Sequence, residues 1–78
     1  MPVRPLDELR PGEKGRIVKV GGARNYLRRL RDMGLVAGSE IEMERIAPLG
    51  DPVEIRVKGY HLALRREEAA GIEVEAAI

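Results

Sequence analysis

Side chains capable of covalent or acid–base chemistry are few in this sequence. His61 is the only histidine, Ser39 is the only serine, and threonine and cysteine are absent. A nucleophile–base pair would need Ser39 and His61 themselves, and Ser39, directly after Gly38, is better read as a turn residue. Without cysteine there is no disulfide, no thiolate ligand and no cysteine nucleophile. Gly21-Gly22-Ala23-Arg24 is a fragment of a phosphate-binding loop, which requires a Gly-Lys pair followed by Ser or Thr; it reads as a strand-to-helix joint. Glu40, Glu42 and Glu44 recur every second residue, about 6.5–7 Å apart on a strand, too far for all three to hold one ion. A two-histidine, one-carboxylate site lacks its second histidine. The expectation is a protein with no catalytic residue, no metal site and no cofactor, which acts by binding.

The residues left for binding fall into three groups. Arg24, Arg28 and Arg31 stand at spacings of four and three on one helical face, where like charges repel by a few tenths of a kcal/mol unless an acidic surface lies opposite. Asp32 relieves Arg28 only in part. Leu49 and Asp51 lie between Pro48 and Pro52, and Tyr60 and His61 follow a hairpin signal. Each has a structural alternative: a solvated helix face for the arginines, the core for Leu49, a turn cap for Asp51, packing on the helix for Tyr60 and a plain surface position for His61. RNA phosphate is a weaker partner for the arginines, because two tyrosines and no Phe or Trp provide no stacking platform.

The elements that position these residues are punctuated by Gly and Pro. Leu6 and Leu9 anchor one short helical turn ahead of Pro11-Gly12. Lys14 to Val20 is a first strand; Ile17, Val18 and Val20 cannot share one face at period two, so it is buried on both sides or carries a bulge. Arg24 to Met33 has helical period, with Tyr26, Leu27, Leu30 and Met33 on one stripe. Gly34 stops it in a left-handed C′ position, which brings Leu35 onto Leu30. Ser39 to Ala47 is a second strand whose alternation breaks at Arg45-Ile46. Val53, Ile55 and Val57 alternate in a third, and Tyr60 to Arg65 is a fourth, paired with it across a tight turn. Arg66 to Ala70 is one helical turn, and Ile72 to Ile78 is the fifth strand.

Five short strands with one helix after the first exclude a doubly wound sheet, which needs repeated crossover helices. The expected fold is mainly β, a small five-stranded SH3-like barrel with one α-helix between strands one and two and a helical turn before the last strand. An OB-fold is the rival, but it places its helix between strands three and four. With 78 residues there is room for one domain, 1–78, and its core must be aliphatic. Apolar runs are short and Met1 to Arg10 is already charged, so neither a membrane span nor a signal peptide is expected, and a cytoplasmic location fits.

Several stretches together resemble the FeoA family: Leu6-x-x-Leu9-x-Pro11-Gly12-x-x-Gly15-x-Ile17, Arg29-Leu30-x-x-Met33-Gly34-Leu35-x-x-Gly38 and Ala47-Pro48-Leu49-Gly50-Asp51-Pro52. Ala63-Leu64-Arg65, Glu68-Ala69 and Ile72-x-Val74 continue the agreement to the last strand; Ala37 departs from it, where relatives often carry Pro. The resemblance implies an SH3-like barrel acting as an accessory in ferrous iron uptake. Its implied partner is FeoB, a membrane transporter with a cytosolic GTP-binding domain. The expected role is reversible docking on FeoB through Arg24, Arg28, Arg31, Leu49, Asp51, Tyr60 and His61, by a monomer or weak homo-oligomer. An RNA-binding barrel and a regulator of the iron-dependent repressor kind are the alternatives.

Overall fold

The run from Lys14 to Val20 forms a strand by swallowing one residue. In the computed structural model, which describes residues 3–22 and 24–76, with side chains at 24 and 25 excepted, Ile17 pairs with Val74 and Lys19 with Glu73, leaving Val18 as a bulge. Ile17 and Val20 both turn inward, three residues apart, while Val18 faces solvent. The same device resolves the fault in the strand Glu40–Ile46. Met43 pairs with Ile55 and Arg45 with Glu54, so Glu44 is the extra residue and Ile46 returns to the core side opposite Val53. Each bulge bends its strand and raises its twist, which helps a short sheet to curl.

The strands are β1 (Val3–Pro5), β2 (Lys14–Val20), β3 (Glu40–Ile46), β4 (Val53–Val57), β5 (Tyr60–Leu64) and β6 (Ile72–Ala76). They form one antiparallel sheet in the order β1-β6-β2-β3-β4-β5. Among the described residues the strand count is six rather than five. Val3–Pro5 was expected to lead into the helical turn, but it first pairs with β6, Arg4 opposite Val74, and the 3-10 turn Leu6–Glu8 follows. Three residues cannot show alternation, and Pro5 is tolerated because β1 lies at the edge. Leu6 and Leu9 are both buried anchors, as their spacing suggests. The last strand is described to Ala76; its expected end at 77–78 lies outside the described residues.

Two helices complete the fold, α1 (Arg24–Asp32) between β2 and β3 and α2 (Arg66–Ala70) before β6. The helix stop is a Schellman motif: Leu35 N–H donates to Leu30 C=O at 2.9 Å, Gly34 N–H to Arg31 C=O at 2.9 Å, and Gly34 has φ +89°. Leu30 and Leu35 are both fully buried. The rest of the expected stripe is shallower, with Leu27 and Met33 half-buried and Tyr26 half-buried beside α2. One aliphatic core joins all layers, built from Leu6, Ile17, Leu30, Met43, Ile55, Leu64 and Val74 among others. At roughly 1.5–3 kcal/mol for each fully buried side chain, it supplies most of the drive to fold.

Candidate functional site

At one end of the β4–β5 hairpin, a two-residue loop forces both of its residues into the left-handed region, Lys58 at φ 51° and Gly59 at φ 83°. That is the turn whose twist matches a two-residue hairpin. It delivers Tyr60 to the end of α1, where the phenol donates to the Met33 carbonyl. The Lys58 ammonium lies beside Gly34, a cation at the negative end of the helix. Tyr60 thus satisfies an orphan helix carbonyl while staying 43% exposed.

On the outer sheet face, charges alternate in sign across the strands. The register sets Arg16 between Glu75 and Glu40, and aligns Lys14, Glu42, Arg56 and His61 in one row across β2 to β5. The bulge at Glu44 brings its carboxylate to this face, where it meets His61 Nδ1 and accepts from Arg56 Nε at 3.4 Å. The hydrogen bond with His61, aided by the charges of His61 and Arg56, holds the Glu44 carboxyl below the ordinary 4.5 against a smaller opposing effect of desolvation. Lys14, Arg16, Glu40, Glu42, Arg56 and Lys58 line a shallow groove of about 730 Å³. Glu40 and Glu42, whose spacing is too wide for one ion, thus lie opposite basic residues in the register, and Glu44 makes the ion pairs. Among the described residues, no three His, Cys, Asp or Glu side chains converge as a cation site.

The opposite end of the hairpin carries the loop from 47 to 52. Asp51 Oδ1 accepts from the Arg66 N–H at 3.1 Å, capping the first residue of α2 from outside that helix. Leu49, which could have been core, is 92% exposed. Arg28 and Arg31 are exposed on α1, whereas the side chain of Arg24 lies outside the described residues. The expected docking residues are therefore divided between two ends of the molecule, about 17 Å apart along a five-residue strand. Tyr60 meets the α1 end, His61 stands on the sheet face, and Leu49 and Asp51 sit by α2.

A polar latch between the helices is the feature that sequence reasoning missed. Tyr26 donates to Glu67 Oε1 at 2.7 Å, and Arg29 Nη1 meets Glu68 Oε2 at 3.1 Å. The Glu68 side chain is fully buried, and its other oxygen accepts from the Arg65 N–H at 2.9 Å, the glutamate half of a capping box. No signal announced this, since the residue three before Glu68 is Arg rather than Ser or Thr.

Residues 4–76 match the FeoA domain. The chain is 46% identical over 70 residues to a Fe(2+) transport protein A/Fe(2+) transporter FeoB fusion protein of Porphyromonas gingivalis, covering 90% of this chain and 8% of that protein. It thus spans less than a tenth of that relative's length. A FeoA-like protein from Clostridium acetobutylicum superposes with TM-score 0.90 at 36% identity, over 100% of this chain and 91% of that one. A FeoA of Stenotrophomonas maltophilia, solved with zinc and described as a prokaryotic SH3 domain protein, gives TM-score 0.77 at 31% identity, over 90% of this chain and 87% of that one. No helix among the described residues is long and apolar enough to cross a membrane. The extent of the match, together with the close superposition on solved FeoA structures, identifies the chain as a member of the FeoA domain family, which is linked to ferrous iron transport.

Proposed function

We propose that this protein is a cytoplasmic accessory of ferrous iron uptake that docks on a FeoB-type transporter, at its GTP-binding domain or cytosolic face, and biases its conformation. The observation that carries this reading is the relative in which a FeoA segment and a FeoB transporter share one polypeptide. Covalent linkage keeps two modules at a high mutual concentration, an arrangement suited to one module acting on the other. The surface supports binding over chemistry: its charged groups are arranged in cross-strand rows, and Leu49 stands free at a loop tip. Ligand-like action needs no reaction, only unequal affinity for two states of the transporter.

An NMR titration of the labelled protein with the isolated GTP-binding domain of the transporter, with and without a GTP analogue and with RNA as control, tests this. Saturable shifts with the domain are expected. Shifts with RNA alone would remove the accessory reading; none with either would rule out the GTP-binding domain as the docking site.

A further inference from the structure

A small pocket opens where α1 meets the end of β2 and the chain that leads from Gly34 to β3. Leu27 and Arg31, four residues apart, share one flank of α1 and form one wall; Val20, Leu35, Val36 and Ala37 form the rest. Leu35 is fully buried and makes the floor, Val20 and Leu27 are half-buried, and Val36 stays 39% exposed at the mouth. The volume of about 220 Å³ lies below the roughly 300–1,000 Å³ of a small-molecule site. It suits one aliphatic side chain.

Arg31 is the only charged residue that lines this pocket. Arg28, one turn earlier on the helix, extends the basic rim, and both arginines are exposed. None of the ion pairs among the described residues includes Arg28, Arg31 or Asp32. Asp32 follows Arg28 by four residues and lies further round the helix from Leu27 than either arginine, so it does not face the pocket. The wide groove on the sheet face differs, because its Lys14 and Arg16 stand opposite Glu42 and Glu40 and balance them. An apolar hole beneath an unanswered cationic rim is complementary to an aliphatic residue flanked by carboxylates. A phosphate chain would use the rim and leave the hole empty. A second copy offers Leu49 at an exposed loop tip, but both acids there are engaged, Asp51 with the Arg66 N–H and Asp7 with the Arg66 guanidinium. That tip answers Arg31 poorly.

We propose that this pocket is the anchor point for docking: it takes one aliphatic side chain from an acidic segment of the transporter's GTP-binding domain, and Arg31 and Arg28 pair with the carboxylates of that segment. This rests on the docking reading above. The test is a methyl-detected NMR titration of the intact protein with that isolated domain, together with the affinities of two variants at exposed positions, where substitution leaves the fold intact. The methyl signals of Val20, Leu27, Leu35 and Val36 shift saturably. Val36→Glu, which puts a charge in the mouth, lowers affinity about tenfold or more, and Arg31→Glu lowers it several-fold and weakens its salt dependence. Binding that leaves these methyls unshifted and is indifferent to both substitutions overturns the anchor and leaves docking standing. Loss with Arg31→Glu alone reduces the site to its charged rim and also overturns the anchor. Absence of binding by the unaltered protein overturns the anchor and rules out that domain as the docking site. Methyl shifts that rise with protein concentration without the domain assign the pocket to a second copy instead.

Discussion

Arginines on α1 illustrate how little a residue's type says about its role. Arg28 and Arg31 point to solvent, whereas Arg29, between them, neutralises the fully buried Glu68 carboxylate. Arg29→Ala should cost about 1–3 kcal/mol in urea denaturation, because it removes the cation from a carboxylate that stays buried. Arg28→Ala and Arg31→Ala should each stay within about 0.5 kcal/mol. Equal effects at all three positions would dismiss the latch. Glu44 gives a second test. Its carboxyl is depressed chiefly by His61, so its contribution to stability is fully present above the ordinary 4.5 and is lost as pH falls through the depressed value. His61→Ala should raise the Glu44 carboxyl toward 4.5 in a carbon-detected titration; an unchanged midpoint would reject the pairing.

Two glycines carry the joints between elements for different reasons. Gly34 ends α1 at φ +89°, where any other L-residue is strained, and a Cβ there would also come within 3.1 Å of the Tyr60 hydroxyl oxygen. Gly71 has an ordinary φ of −88°, but a Cβ would lie 2.6 Å from the Gly21 carbonyl oxygen, across the point where Gly21 N–H donates to Gly71 C=O at 2.7 Å. Gly34→Ala should cost about 1–2 kcal/mol through the backbone, and Gly71→Ala about 1–3 kcal/mol through the displaced chain. Thermal denaturation of both separates these from neutral surface changes. The helix stop at Gly34 was legible because a periodic stripe ended at a glycine, and both bulges were legible as faults in alternation. Gly71 could be read only as the end of a turn, since backbone proximity leaves no mark on the sequence. β1 was hidden by its length and its proline, and Glu68 by a helix start without Ser or Thr.

Across the whole molecule, Tyr60 and the loop with Leu49 and Asp51 lie at opposite ends of the β4–β5 hairpin, while His61 stands on the sheet face and Arg28 and Arg31 on α1. A partner that engaged both ends would have to span the length of that hairpin. The fold class was readable from the glycine–proline punctuation and the strand-length spacing, and the family from the resemblance carried by stretches such as Met33-Gly34-Leu35 and Ala47-Pro48-Leu49-Gly50-Asp51-Pro52. The partition of the surface was not, because it depends on which strand became an edge. The central claim is that the protein modulates the transporter by preferring one of its states, and a ligand of equal affinity for both would shift nothing. The decisive measurement is therefore a pair of dissociation constants for the transporter's GTP-binding domain, one with a GTP analogue and one with GDP. The account predicts that they differ by about fivefold or more; equal constants would contradict it.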